Sequence, residues 1–488
     1  MAPHVLVIPY PVQGHINPLI QLSEMLSSKG ILVTFINTEC NHSKMMKARS
    51  YHDWNSVGPN SNIHFSQVSD GLPLDFDRAA NSSEFYRCIR NEMRDSVEGL
   101  IQSHLNAETG KPPFSCIISS SFLTWAFHVG KKLELPFIAF WSQSVSVYTI
   151  YRHLSMIISN CHFPPKKEDP KDIIDYIPGL PPLQPEDLPQ DIQTGDASSG
   201  FHRLVVEQLS LLEETEWIIG NTVYELEREA SDAVQEAAAP ICSLGPFLPS
   251  VYLESECKHK EISVNSTSLS LWEEKDCSQW LDSKARSSVL YVSFGSLARM
   301  SKTQVEEIAM GLLESGQNFL WVVRPGMLGS DDDGDVLPEG FLEKTKNRAL
   351  LIPWCTQLSV LSHPSLGGFF THGGWNSTLE SLSLGVPMLV FPQATDQYTH
   401  RMLVVNQWKI GLRLAKCRDD GVIERGEISR AVKLLVGSKE GEEMRRKSKE
   451  IRETIRQTTS EGGSSWINMQ RLLDYIGTTS TEPVRSEI

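Results

Sequence analysis

Trp354-Cys355-Thr356-Gln357, then His363-Pro364-Ser365-Leu366-Gly367-Gly368-Phe369-Phe370-Thr371-His372-Gly373-Gly374-Trp375-Asn376-Ser377-Thr378-Leu379-Glu380, is the stretch on which the fold turns. Residues 368–371 form a short apolar run, predicting a buried strand that stops at His372-Gly373-Gly374. Asn376 and Ser377 then open a helix with Leu379, Leu382 and Leu384 on its apolar face. A glycine pair followed by an Asn/Ser N-cap leaves free N–H groups at the positive end of a helix dipole, which is an anion site. His372 adds a donor beside it. Glu380, one turn into the helix, can accept two ribose hydroxyls, and Trp354, closing the preceding strand, offers a flat face to a base.

Outward from that stretch, short apolar runs alternate with helical patterns. Strands are predicted at 4–8, 31–36, 63–68, 115–119, 136–140 and 217–220, and again at 289–294, 319–323, 350–353, 368–371 and 388–391. Between the first two, Leu19, Leu22 and Leu26 keep helical spacing from a start near Asn17-Pro18, and Gly30 ends the helix. Such alternation predicts an α/β protein with two doubly wound, mostly parallel sheets, each offering ligand positions at its strand carboxyl ends. Gly245-Pro246-Phe247-Leu248-Pro249 marks the change of domain. The expected division is an N-terminal domain over 1–250, a polar linker over 251–270, a second domain over 271–460, and a terminal segment over 461–488. Its amphipathic helix, 465–476, follows the Gly462-Gly463 break.

The 488 residues suit two domains, and 40% hydrophobic with 22% charged residues is ordinary globular composition. A net charge of −15 argues against nucleic acid as a partner. An anionic ligand must therefore be held by local donors and helix ends. Nine cysteines without paired spacing read as reduced thiols. No apolar run reaches membrane-spanning length, and His4-Val5-Leu6-Val7-Ile8 reads as a first strand rather than a leader, so a cytoplasmic, monomeric protein without membrane anchor is expected. Asp331-Asp332-Asp333-Gly334-Asp335 has the D-x-D spacing of some metal sites, but its polar, Gly-flanked surroundings read as a solvated loop, so no metal is expected. His15, in a Gly-His turn after the first strand, stands where a doubly wound sheet places its ligands, and an imidazole there suits removal of a hydroxyl proton.

Taken together, Trp354, Gln357, His372, Trp375-Asn376-Ser377, Glu380, Asp396 and Gln397 keep the spacing of one signature, and the segment from Trp354 to Gln397 resembles the donor-binding box of plant family 1 UDP-dependent glycosyltransferases. Pro11-Val12-Gln13-Gly14-His15-Ile16-Asn17-Pro18 is similar to that family's N-terminal active-site turn, and Phe294-Gly295-Ser296 to its phosphate loop. The likeness spans essentially the whole chain. It implies the GT-B fold, two Rossmann-like domains facing across a cleft, with the last helix crossing back to the first domain.

It also implies roles. Trp354 would stack on uracil, and the Cys355 main chain would pair with its edge. Gln357 and Glu380 would hold ribose, while Ser296, His372, Gly374, Asn376 and Ser377 would hold the diphosphate. Trp375, Asp396 and Gln397 would read sugar hydroxyls, with Ser142 near the 6-hydroxyl. In this family Trp at 375 and Gln at 397 go with UDP-glucose as co-substrate, and no further cofactor is implied. The implied reaction is inverting, metal-independent transfer of glucose to a hydroxyl or carboxyl of a small apolar plant metabolite such as a flavonoid, phenylpropanoid or terpenoid, with His15 as base. One departure stands out. Where the family carries an Asp beside that histidine, the chain has Ser120, in Ile117-Ile118-Ser119-Ser120-Ser121-Phe122. His15 and Ser120 are thus the expected catalytic pair, with Asp70 a candidate replacement acid. Ser120 also leaves open a weakly catalytic or non-catalytic UDP-sugar or metabolite binder, or a transferase using another UDP-sugar. Phe76, Phe85, Phe122, Trp141 and Tyr148 are the candidate walls of the acceptor pocket.

Overall fold

The computed structural model describes residues 2–48, 62–106, 112–164, 173–235, 240–254, 270–324, 326–327, 337–415 and 421–479. Most of the expected linker, and the Asp331–Asp335 stretch, lie outside the described residues.

The N-terminal sheet has seven parallel strands: β1 (His4–Ile8), β2 (Leu32–Thr38), β3 (Ile63–Val68), β4 (Cys116–Ser120), β5 (Phe137–Trp141), β6 (Trp217–Gly220) and β7 (Ile241–Ser243). They lie in the order β3-β2-β1-β4-β5-β6-β7. The second sheet has six: β8 (Val289–Ser293), β9 (Asn318–Val322), β10 (Ala349–Ile352), β11 (Leu366–Thr371), β12 (Met388–Val390) and β13 (Gly411–Arg413), in the order β10-β9-β8-β11-β12-β13. Every pair is parallel, and near-continuous apolar runs such as Val5-Leu6-Val7-Ile8 are fully buried because helices cover both faces. The expected strands are found within a residue or two at either end. The edge strands β7 and β13 carry too few residues to show a period, and the sequence reading lacked them.

Both sheets reverse their winding beside their first strand, between β1 and β4 and between β8 and β11. Loops leaving adjacent strands there go to opposite faces and open a crevice. Helices around the sheets include α1 (Gln13–Ser28), α2 (Val145–Arg152), α3 (Gly200–Glu213), α4 (Lys302–Ser315), α5 (Trp375–Leu384), α6 (Arg425–Gly437) and α7 (Ser464–Thr479), of which α1, α3 and α5 line the cleft.

α1 starts at Gln13, earlier than the expected Asn17-Pro18, so Pro18 lies inside it and His15 sits in its first turn. Pro18 has no N–H to give the Gly14 carbonyl four residues back, so that carbonyl is left open. α5 also corrects the sequence reading. Its N-cap is Gly374, in extended conformation and without a side-chain cap bond, which places Asn376 and Ser377 in the first turn.

The last helix, α7, buries Met469, Leu472 and Ile476 in one apolar cluster with Ile16, Leu19 and Leu244 of the N-terminal half. Ser465 Oγ donates to the Gly245 carbonyl at 2.7 Å, fixing the start of the helix on the domain junction. Leu472→Ala should therefore destabilise the protein by roughly 2–5 kcal/mol through lost burial and a cavity, read as a lower urea midpoint. A loss under about 1 kcal/mol would mean that α7 is not docked this way.

Candidate active site

The carboxyl ends of both sheets face a single cavity of about 640 Å³, lined from the first domain by His15, Phe122, Ser142 and Gln143 and from the second by Ser296, Trp354, His372, Asn376 and Glu380. The two switch points thus share one cleft.

On the N-terminal side, His15 is half-buried in the first turn of α1. Its Nδ1 lies 2.9 Å from Ser120 Oγ, at the end of β4 and fully buried. Tyr10 and Phe122 flank the ring, with centroids at 5.4 and 5.1 Å. Burial pushes His15 down to about 4 from the ordinary imidazole value, with the Asp396 charge pulling the other way. Asp70 does not reach the ring. Its carboxylate pairs with Arg78, Nε to Oδ2 at 2.8 Å and Nη2 to Oδ1 at 2.9 Å, and accepts the Leu72 N–H, so it locks its own loop.

On the opposite side, β11 delivers His372 and the first turn of α5. The helix's first N–H groups have no acceptor within the helix and point toward the cleft. His372 is sandwiched between two glycines: a Cβ on Gly295 would lie 2.7 Å from its ring, and one on Gly374 2.4 Å from Nε2. Gly295 also needs its positive φ of 76°. Arg324 donates to the Gly295 and Ala298 carbonyls and braces the turn that carries Ser296. Burial lowers His372 to about 4, so the ring is neutral at physiological pH.

Further along, Trp354 closes β10 and tilts against Trp272 at 5.9 Å. Gln357 Nε2 donates to Glu380 Oε2 at 2.6 Å and to Ser377 Oγ at 3.0 Å. Burial raises Glu380 to about 7, with the Gln357 bond pulling it back down. Asp396 accepts from Gln143 Nε2 at 2.8 Å and from Thr395 Oγ1 at 2.9 Å, the first of these bonds crossing between domains. Cys355, Gly374, Trp375 and Ser377 complete this wall, and Ser142 lines the first-domain side.

Several expected positions differ. The Trp375 indole N–H is spent on the Asn221 carbonyl at 2.6 Å, so the side chain fastens the domains and leaves only its main chain to a sugar. Gln397 is not among the lining residues; its Oε1 accepts the Gln393 and Ala394 N–H groups and closes that turn. Of the five aromatic acceptor candidates only Phe122 lines the cavity. Phe85, Trp141 and Tyr148 are buried in the core, Trp141 donating to the Ser144 carbonyl, and Phe76 is half-buried outside the cavity.

The sequence reading lacked Tyr10, Tyr86, Phe201, Leu204, Gln143 and Asn221, all lining residues. Tyr10 lies two residues past the end of β1, and Phe201 and Leu204 sit at i, i+3 on α3, so position after a strand end and helical spacing were available signals. Asn221, immediately after β6, carried the same strand-end signal. Among the described residues no cluster of three His, Cys, Asp or Glu side chains has metal-site geometry, the seven cysteines are unpaired, and no helix is long and apolar enough to cross a membrane.

Comparison with known proteins gives consistent likenesses. Residues 271–417 match the model described as UDP-glucoronosyl and UDP-glucosyl transferase, and residues 3–70 match a glycosyltransferase N-terminal domain. The chain is 37% identical over 483 residues to UDP-glycosyltransferase 86A1 of Arabidopsis thaliana, covering 97% of this chain and 94% of that protein. It is 34% identical to the 7-deoxyloganetin glucosyltransferase of Gardenia jasminoides, covering 97% of each. Among solved structures, Os79 from O. sativa in complex with UDP superposes with a TM-score of 0.82 at 26% identity, covering 97% of this chain and all of that one. The paired Rossmann-like sheets are the GT-B fold.

The lowered histidines carry a direct expectation. In the folded protein His15 and His372 hold fewer protons than in the unfolded chain between pH 6.5 and 4. Their contribution to stability is complete above 6.5 and is lost as pH falls toward 4. In an NMR titration both imidazoles should stay neutral from pH 8 to 6; a midpoint near 6.5 for either would contradict the burial argument.

Proposed function

Since the chain belongs to the UDP-glycosyltransferases, we propose that it transfers glucose from UDP-glucose, with inversion and without a metal ion, to a hydroxyl of a small apolar acceptor, His15 serving as the base. The observation that carries this reading is the shared cleft: His15 on one switch point faces the glycine-framed His372 and the first turn of α5 on the other.

In this reading uracil stacks on Trp354 and pairs with the Cys355 main chain, and ribose is held by the Gln357–Glu380 pair. A raised Glu380 suits that place, because ribose hydroxyls donate to its ionised form and draw its pKa back down on binding. The diphosphate rests on the α5 N-terminus, equivalent to roughly half a positive charge, with Ser296, Asn376, Ser377 and the neutral His372 as donors. Fixed donors of this kind are each typically worth ~3–4 kcal/mol where charge develops on the leaving group, which is the work a metal ion does elsewhere. Asp396, Ser142 and Gln143 surround the sugar.

The acceptor oxygen gives its proton to His15 Nε2 and its electron pair to the anomeric carbon. The bond from that carbon to the β-phosphate oxygen breaks, its pair leaving with UDP. Attack from the face opposite UDP inverts the centre. A cytoplasmic, monomeric enzyme of specialised plant metabolism fits this reading. Ser120 favours a second one, a UDP-sugar or metabolite binder without turnover.

Mass spectrometry on a panel of aromatic and terpenoid acceptors with UDP-glucose and EDTA separates the two. Glucosides should form undiminished by EDTA. Loss of product with EDTA and its return with Mn²⁺ would contradict metal independence, and no product from any acceptor would favour the binder. His15→Ala should lower kcat by about 10²–10⁴-fold, the usual range for a lost general base. Full turnover would remove His15 from that role.

A further inference from the structure

We propose that Ser120 makes this active centre select acceptors by the acidity of their hydroxyl, taking neutral, flat phenols or enols in preference to aliphatic alcohols and carboxylates; the inference rests on the transfer reading above.

The first ground is hydrogen-bond accounting at His15. A carboxylate can only accept, so an aspartate at this position would hold a proton on Nδ1 and leave Nε2 free as a base. A serine hydroxyl can donate or accept. If Ser120 donates to Nδ1, Nε2 carries the ring's proton and cannot take another. If Ser120 accepts, Nε2 is free, but the serine hydrogen has no second protein partner among the described residues, in a fully buried position. The basic tautomer is thus costly here, where an aspartate would make it the resting form.

The second ground is charge. Proton transfer leaves an imidazolium, and Ser120 contributes a neutral dipole where a carboxylate would contribute a full charge. Asp70 is already neutralised by Arg78. Asp396, whose charge does reach His15, is tied to Gln143 and Thr395. His15 is therefore a weak base, and a weak base is most sensitive to how acidic its substrate is. A phenol ionises near the tyrosine value of about 10, whereas an aliphatic hydroxyl is nearly as weak an acid as water, at about 15.7.

The third ground is the chamber beside His15. Tyr10, Tyr86, Phe122, Phe201 and Leu204 line it, with Phe122 and Phe201 at 6.2 Å between centroids. Among the described residues, the charged groups that line the cleft are Glu274, Glu380 and Asp396, all acidic, with no Lys or Arg. A carboxylate acceptor would enter without a counter-charge, at a heavy desolvation cost. A neutral aromatic ring meets aromatic faces.

The test uses wild type and Ser120→Asp with UDP-glucose and four acceptors of similar size: 4-nitrophenol, 4-methylphenol, benzyl alcohol and 4-methylbenzoate. Wild-type kcat/KM should fall steeply from the nitrophenol to the alcohol, with the benzoate unused. Ser120→Asp should raise kcat/KM for benzyl alcohol at least about tenfold more than for 4-nitrophenol, against an upper guide of ~10⁴ from a serine-protease aspartate. Equal wild-type rates for the alcohol and 4-methylphenol would overturn the proposal even if the variant does not fold. So would a variant that changes all acceptors by one factor. No turnover with any acceptor would overturn the transfer reading and this inference with it.

Discussion

Across the cleft, the side-chain amide of Asn376 donates to the carbonyl of Gly14 at 2.8 Å, a carbonyl that Pro18, lacking an N–H, leaves without its i+4 helix bond. It ties the first turn of α5 to the first turn of α1, the two turns that carry the proposed diphosphate donors and the proposed base. Asn221 tightens the same joint. Its carbonyl takes the Trp375 indole, its Nδ2 donates to Asn376 Oδ1 at 3.3 Å, and its Oδ1 accepts the Phe247 N–H at the domain crossing. There is no room there for a side chain on Gly245, whose Cβ would lie 2.6 Å from the Thr222 nitrogen. Neither sheet alone forms a site; the geometry depends on this contact holding the two switch points face to face.

The electrostatic character follows from burial rather than from cations. The chain is strongly acidic, and among the described residues no lysine or arginine side chain lines the cleft. What favours an anion is the open end of α5, the hydroxyls of Ser296 and Ser377, and a His372 ring kept neutral and immobile between two glycines. The same burial weakens His15 as a base and raises Glu380 toward neutrality. In the proposed reaction this burial suits donor binding by a neutral His372 and a ribose site that gains its charge when hydroxyls arrive, while Ser120 leaves the proposed base sensitive to its substrate.

Much of this was legible in the sequence where residue type and spacing act locally. Strand runs, the His372-Gly373-Gly374 turn and the Trp354–Gln357–Glu380 series all lie within short stretches of sequence, although Gly295, on the other side of the His372 ring, comes from a distant loop. Other features depend on partners distant in the chain. That the Trp375 indole faces Asn221 is settled by the other domain, as is the use of Gln143 beside Asp396. Trp141 and Tyr148 were read as pocket walls because aromatic residues look alike in core and cavity; their burial is decided by which face of β5 and α2 meets the sheet. The early start of α1 is hidden in the sequence because Asn17-Pro18 has the form of a helix beginning, whereas Pro18 lies within the helix and leaves the Gly14 carbonyl without its i+4 bond.

If the first turn of α5 and His372 form the seat of a diphosphate, affinity must reside in the phosphates and not in the uracil alone. Calorimetric titration of the protein with UDP and with uridine, both in EDTA, measures this directly. Charge-assisted hydrogen bonds from two or more fixed donors predict UDP binding at least about a hundredfold more tightly than uridine. Uridine binding within about threefold of UDP would contradict the account.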